Sequence, residues 1–206
     1  DVAKQKGIDV ITDFLDYKLA KKIVNNSGNV DLLIGNNVLA HVPEINDFIS
    51  ACALLIGRKG IITFEFPHLL ELIKQNQFDT IYHEHFSYLS LFALNSIFKK
   101  NNLFPLRVEQ LKTHGGSLRV YLCAEESKLN FSNIKNNTYD EILGLEIEEN
   151  LNSINLYKNF QSKVDQIKRD FLSNLIDFKN KGLTVCAYGA AAKGNTLMNY
   201  CGIDSS

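Results

Sequence analysis

Short apolar runs alternate with amphipathic stretches along the first half of the chain. Val30 to Gly35 and Ile61 to Phe66 are largely apolar, as expected of parallel strands that are covered on both faces. Residues 44–55, between them, place apolar side chains three and four positions apart, which is the spacing of a helix that buries one face. Ile8 to Thr12 is a similar short run, and Lys18 to Val24 is amphipathic. The alternation predicts an α/β fold with a doubly wound parallel sheet.

Two later apolar runs predict an antiparallel hairpin at the end of this sheet. They cover residues 106–111 and 118–123, and His114-Gly115-Gly116 supplies the turn between them. Residues 130–137 are polar and turn-like. They predict a domain boundary, which divides the chain into residues 1–126 and 127–206.

The second segment is dominated by one long apolar stripe. From Ile147 to Phe178, apolar residues recur at intervals of three and four, which predicts one long amphipathic helix, or two in tandem, with a packed core face. Leu183 to Tyr188 then predicts a buried strand, and the residues after it predict the start of a second α/β unit.

Composition and charge narrow the classes of function. The net charge of the 206 residues is −1, so no electrostatic footprint for nucleic acid or an anionic membrane exists. No apolar run is long enough to span a bilayer, and the first residues do not resemble a signal peptide, so a cytoplasmic location is expected. The four cysteines are isolated, which indicates reduced thiols rather than a zinc site or a disulfide framework.

Ionisable side chains concentrate in Tyr82-His83-Glu84-His85. On an extended strand, His83 and His85 share a face and could hold a metal together with a distant carboxylate. On a helical turn, Tyr82 and His85 converge instead. That arrangement pairs a base with a near-neutral pKa and a phenolic donor, which suits removal of a proton next to a carbonyl group.

Two other loops have the composition of ligand sites. Asn36 to Pro43 follows a predicted parallel strand, at the end of the sheet where α/β proteins bind ligands, although it is also a plausible turn. Gly189 to Thr196 follows a predicted strand and opens a helix, with small residues that permit close approach of a phosphate. Close packing of helix on strand explains its alanines almost as well.

Taken together, these motifs resemble those of the sugar C-methyltransferases, which are class I S-adenosylmethionine-dependent enzymes that methylate nucleotide-linked keto-deoxysugars. The resemblance runs through nearly the whole sequence and rests on five segments in order: Asn36 to Pro43, Glu65 to His68, Phe78 to His85, His114 to Arg119 and Tyr188 to Thr196. It implies that residues 1–126 belong to a methyltransferase domain. Residues 127–206 are then a helical connector and the start of a carboxyl-terminal α/β domain. The family's zinc-binding amino-terminal module and glycine-rich loop are missing from this sequence, which is therefore expected to be an internal fragment, inactive alone.

The resemblance also implies roles for individual residues. His85 is expected to be the general base and Tyr82 the group beside the keto oxygen, with Glu84 and His41 in support. Asn36, Asn37 and Asp13 are expected on the side of the S-adenosylmethionine cofactor. Separately from the resemblance, the strand-to-helix placement of the last motif predicts that Gly189, Lys193 and Asn195 contact the phosphates of the substrate.

The reaction that follows is methyl transfer to a carbon next to the ketone of a nucleotide-linked 4-keto-deoxysugar. No resident metal, nucleic acid or membrane is expected to be bound, and the complete enzyme is expected to be a monomer. Three alternatives remain open from sequence: a keto-sugar epimerase with the same base, a metal enzyme ligated by His83 and His85, and a non-catalytic nucleotide-sugar-binding remnant.

Overall fold

A four-stranded mixed sheet organises the part of the chain that the computed structural model describes, residues 2–189 and 192–203. Its strands are β1 (Leu32–Asn36), β2 (Ile61–Pro67), β3 (Leu103–Leu111) and β4 (Ser117–Ala124), in the spatial order β1-β2-β4-β3. β1 and β2 are parallel, whereas β4 is antiparallel to both β2 and β3. The predicted α/β class and the closing antiparallel hairpin are both confirmed.

Helices connect and cover these strands. They are α1 (Val2–Gln5), α2 (Tyr17–Ser27), α3 (Ile45–Ile56), α4 (Leu69–Lys74), α5 (Leu91–Lys100), α6 (Thr138–Glu148), α7 (Ile154–Asn180) and α8 (Ala192–Cys201). Short 3-10 turns occur at Leu39–His41, Phe78–Thr80, Thr113–Gly115 and Glu125–Phe131. None of the helices in the described ranges is long and apolar enough to cross a membrane.

The hydrophobic core lies on one face of the sheet. Ile62, Phe64 and Phe66 project from β2 onto this face and are fully buried, together with side chains from α3 and α5. Leu32 and Ile34 alternate with the core-facing positions of β1, and they remain 55% and 63% exposed. The described helices therefore pack mainly against the face that β2 fills with aromatic rings.

Two predicted strands are absent. Residues 8–12 and 183–188 are described but form no strand, and their apolar side chains are exposed. A strand needs a hydrogen-bonded neighbour, and neither segment lies beside a strand in the described structure. Apolar composition alone was therefore not enough to predict a strand in these two segments.

Most of the apolar stripe lies on one long helix, α7, and only its first residue, Ile147, lies on the preceding helix α6. The expected packed face is only partly formed. Val164 is buried and the positions near it are half-buried, but Ile154 and Phe178, toward the two ends, are 67% and 40% exposed. Among the described elements, α7 packs against α8.

Candidate active site

A cavity of about 150 Å³ lies at the carboxyl ends of the two parallel strands. Asn37 follows β1 and Pro67 ends β2, and both line it. The other lining residues come from the loops and 3-10 turns around this end of the sheet, from α4 and from α8: Ala40, His41, Leu69, Leu72, Gln77, Thr80, Tyr82, His85, Ser87, Tyr88, Leu89, His114 and Lys193. This is the end of the sheet at which the sequence predicted a ligand site.

Tyr82 to His85 forms a turn rather than a strand. The His85 backbone N–H donates to the Tyr82 carbonyl oxygen at 3.0 Å. The two rings lie with their centroids 4.4 Å apart and their planes 31° from parallel. The turn thus brings Tyr82 and His85 together. His83, in contrast, is exposed and lines a separate open groove.

His85 is held in the form that a general base requires. Its Nδ1 lies 3.0 Å from the Thr80 carbonyl oxygen, which can only accept, so Nδ1 carries the hydrogen and Nε2 keeps a lone pair. Burial lowers the pKa of His85, and the nearby His41 and Lys193 lower it further. The Thr80 hydrogen bond and Glu84 oppose this shift without reversing it.

A second histidine is fixed beside the first. His41 Nδ1 hydrogen-bonds the Glu84 carbonyl oxygen at 2.9 Å, and its ring centroid lies 4.9 Å from that of His85. The Ala40 carbonyl oxygen accepts backbone N–H groups from Phe86 and Ser87 at 2.7 and 3.3 Å. The loop that carries His85 is therefore tied to the turn that carries His41.

Glu84 contributes to this arrangement mainly through its backbone. Its carbonyl oxygen binds His41, while its exposed side chain borders an open groove of about 550 Å³ on the other side of Tyr82. Asn195 lines the same groove.

The predicted cofactor-side residues separate into one that reaches the cavity and two that do not. The Asn37 backbone N–H donates to the Glu65 carbonyl oxygen at 2.7 Å, and Asn37 itself has a positive φ of 54°. Its side-chain Oδ1 is buried and has no hydrogen-bond partner. Asn36 and Asp13 are both exposed and line neither the cavity nor the groove.

The carboxyl-terminal motif reaches the site through one side chain. Lys193, in the first turn of α8, lines the cavity, whereas Gly189 is exposed and lines neither opening. Ala190 and Ala191, between them, lie outside the described residues. The ring of Phe78 packs 5.1 Å from that of Tyr200, and this contact helps hold α8 against the turn before His85.

Several cavity residues had no role in the sequence interpretation. His114 lines the cavity in a left-handed backbone conformation, with φ of 53°, and Gln77 fixes its loop by donating to the Gly115 carbonyl oxygen at 2.8 Å. Tyr88 lies 6.0 Å from the His85 ring, and burial raises the pKa of Tyr88. The His-Gly-Gly turn was visible in the sequence. Nothing there indicated that it would line the same cavity as His85.

Within the described ranges, no three His, Cys, Asp or Glu side chains are grouped closely enough to hold a metal ion. His83 and His85 face different openings, so they do not form the pair that a shared metal would need. The absence of a resident metal in the protein stays a prediction.

Comparisons with known proteins support C-methyltransferases as relatives of this chain. Residues 112–206 match the family model for the C-methyltransferase C-terminal domain. The chain is 29% identical over 202 residues to the C-methyltransferase NovU of Streptomyces niveus, which covers 98% of this chain and 47% of that protein. The chain thus spans about half the length of this curated relative. Among solved structures, magnesium protoporphyrin IX methyltransferase from Synechocystis PCC 6803, with bound SAH, matches with a TM-score of 0.37 and 20% identity, over 47% of this chain and 45% of that one.

Proposed function

We propose that this chain carries the proton-abstracting half of an S-adenosylmethionine-dependent C-methyltransferase that acts on a nucleotide-linked 4-keto-deoxysugar. The observation that carries the proposal is the state of His85. Its Nδ1–H is bound to the Thr80 carbonyl oxygen, and its other nitrogen is left as an acceptor in a cavity that it shares with Tyr82. The similarity to C-methyltransferases supports the class of reaction.

Methyl transfer to carbon requires a base because a C–H bond has no lone pair. A ketone on the neighbouring carbon makes that hydrogen acidic. His85 Nε2 takes the proton, the C–H electron pair becomes the enolate, and the Tyr82 hydroxyl donates a hydrogen bond to the enolate oxygen. The enolate carbon would then form the new C–C bond to the methyl group of the cofactor, whose bond to sulfur would break with its electron pair left on the sulfur. The proton stays on His85 until solvent removes it.

S-adenosylmethionine supplies an electrophilic methyl group when it is bound. The cavity has one feature that fits such a cofactor: the buried Oδ1 of Asn37 has no partner and can accept a hydrogen bond from an ammonium or a hydroxyl group. Asn37 is therefore the residue of this chain that we assign to the cofactor side.

The sugar nucleotide is proposed to enter from the side of α8. Lys193 brings a positive charge to the cavity, and Asn195 lines the groove on the far side of Tyr82. A phosphate near the first turn of α8 would also face the positive end of the helix. In this proposal the keto-sugar lies between Lys193 and the Tyr82–His85 turn.

The central test replaces His85 by Asn in the full-length protein. Methyl transfer to nucleoside-diphosphate-linked 4-keto-deoxysugars should fall about 100- to 10,000-fold, which is the usual effect of losing a general base. Exchange of the substrate α-hydrogen with deuterated water should stop as well. Cofactor affinity, measured by calorimetry, should change little because Asn37 is intact.

His83→Asn is the matched control, since His83 lies two residues away but is exposed and does not line the cavity. Continued exchange in the His85 variant would assign the base to another residue. Exchange in the wild type without any methylated product, with cofactor bound, would instead identify a keto-sugar epimerase.

A further inference from the structure

Glu146 is a fully buried carboxylate that joins three elements near the cavity without lining it. Its Oε1 accepts hydrogen bonds from His68 Nε2 at 2.8 Å and from the Leu91 backbone N–H at 2.9 Å. Its Oε2 accepts from the Phe92 backbone N–H at 2.7 Å. A buried charge is tolerated only when donors saturate it, so α6, the end of β2 and the start of α5 meet at one fixed point.

The segments that meet at Glu146 also build a wall of the cavity. The backbone N–H of Leu69, next to His68, donates to the Leu89 carbonyl oxygen at 2.9 Å, and both leucines line the cavity. Tyr88 precedes Leu89 and contacts the His85 ring. A displacement of Leu69 and Leu89 would therefore change the position of Tyr88, and through Tyr88 the surroundings of His85.

We propose that Glu146 is a positioning residue for the active site, which through His68 and the first turn of α5 fixes the Leu69–Leu89 wall and Tyr88 beside His85. The expected effect on methyl transfer rests on the proposed function of the cavity. The placement of His85 can be measured whether or not the protein has that function.

Helix capping accounts for only part of these contacts. The Ser90 side-chain oxygen accepts from the Ala93 backbone N–H at 3.2 Å, and Glu146 accepts from the two N–H groups before it in the first turn of α5. Glu146 comes from an element 55 residues away from Leu91 and also binds His68, which no helix cap requires. The other ring nitrogen of His68 is buried with no partner, so the bond to Glu146 is what orients this ring.

The test compares four variants of the full-length protein. Glu146→Gln places an amide donor against backbone N–H groups, and His68→Met removes the donor to Glu146 at similar volume. His68→Gln restores an amide N–H near the position of Nε2. Glu149→Gln is the control, since Glu149 directly follows the same helix but pairs with Lys74 at the surface.

The first readout is the titration of His85, followed by nuclear magnetic resonance of labelled histidine. The groups that face His85 are His41, Tyr82, Glu84, Tyr88 and Lys193, and all stay unchanged in these variants. Because burial is the main cause that lowers the pKa of His85, a displaced wall should raise that pKa toward its ordinary value. This readout does not depend on turnover.

The second readout is methyl transfer. Glu146→Gln and His68→Met should lower kcat/KM by roughly 10- to 100-fold, the effect of misplacing a reacting group by about 1 Å. His68→Gln should recover most of this loss, and Glu149→Gln should match the wild type. If no variant or wild type transfers a methyl group, the proposed function fails while the His85 titration still decides the role of Glu146.

The proposal is overturned if Glu146→Gln and His68→Met lower the melting temperature but leave the His85 titration and kcat/KM unchanged in the folded protein. Glu146 would then be a structural junction only. Should Glu146→Gln fail to fold, the two His68 variants carry the same comparison.

Discussion

At the scale of single residues, the histidines near the cavity differ in what their ring nitrogens contact. His41 and His85 each bind a backbone carbonyl oxygen through Nδ1 and line the cavity, whereas His68 is bound through Nε2 to the Glu146 side chain and does not line it. His85 is distinguished from His41 by its place against the Tyr82 ring, 4.4 Å away between centroids. This pairing with a phenolic donor, more than the number of histidines, singles out His85 as the proposed base.

The pH dependence of kcat/KM should show the environment of His85. The base must be neutral, so activity falls as the pH falls through its pKa. Burial lowers that pKa below its usual 6.5, and the acidic limb should therefore lie below pH 6.5. An acidic limb at or above that value, in an initial-rate profile of the full-length protein, would contradict the role of His85.

Lys193→Ala tests the proposed phosphate contact. The KM for the sugar nucleotide should rise, with little change in the KM for the cofactor, because Lys193 lies on the α8 side of the cavity. The acidic limb should also shift to slightly higher pH, since Lys193 is one of the groups that lower the pKa of His85. Lys163→Ala is the control, since Lys163 is an exposed lysine of α7 that lines no part of the cavity. If the two variants have equal kinetics, Lys193 is a solvated side chain without a phosphate contact.

The sequence predicted part of this residue-scale arrangement. The three-residue spacing of Tyr82 and His85 is local, and the turn that it favours is present. The Glu146 contacts span 55 and 78 residues, so no local pattern could reveal them. Asp13 followed from the resemblance alone, and its exposure leaves it without a contact in the cavity.

At the scale of elements, local periodicity located helices and strands but did not supply their neighbours. β1, β2, β3 and β4 lie at or near their predicted positions, each beside a strand that pairs with it. Residues 8–12 and 183–188 have similar composition but no such neighbour, and they stay irregular. α7 likewise has the predicted period, but Val164 is its one buried residue.

Two glycines should respond to alanine in opposite directions. At Gly60, a Cβ atom would come within 2.9 Å of the Ile56 Cβ atom and against the Val30 backbone, where α3 meets β2. Gly60→Ala should therefore cost about 1–3 kcal/mol in the free energy of unfolding. Gly144 lies within α6 with open space around it, so Gly144→Ala should add up to about 1 kcal/mol.

Urea unfolding of the two variants checks this pair. A Gly60→Ala midpoint equal to that of the wild type would mean that the junction of α3 and β2 yields without strain. A lower midpoint for Gly144→Ala would mean that α6 does not extend through this position in solution.

At the scale of the whole molecule, the sheet has one well-covered face and one open edge. β1 is an edge strand in the described sheet, and Leu32 and Ile34 project from it into solvent. Unpaired apolar edges favour association between chains. We therefore expect residues 1–206, on their own, to associate through this edge.

Ile34→Lys should lower this association, because a lysine on an edge strand opposes pairing with a second chain. Sedimentation of the 206-residue chain at increasing concentration measures the effect. Ile154→Lys is the control, since Ile154 is similarly exposed on α7 but lies on no strand edge. A wild-type chain that stays monomeric at all concentrations would contradict the prediction.

The two hydrogen bonds that Phe86 and Ser87 make to the Ala40 carbonyl oxygen involve backbone atoms alone. No substitution of these three side chains deletes either the donor or the acceptor, except the introduction of proline at position 86 or 87. Other substitutions at positions 40, 86 and 87 therefore leave the contact between the loops of His41 and His85 in place. Substitutions can alter the cavity-lining side chains, and with them the preferred ligand, while these two backbone contacts keep the distance between the loops unchanged.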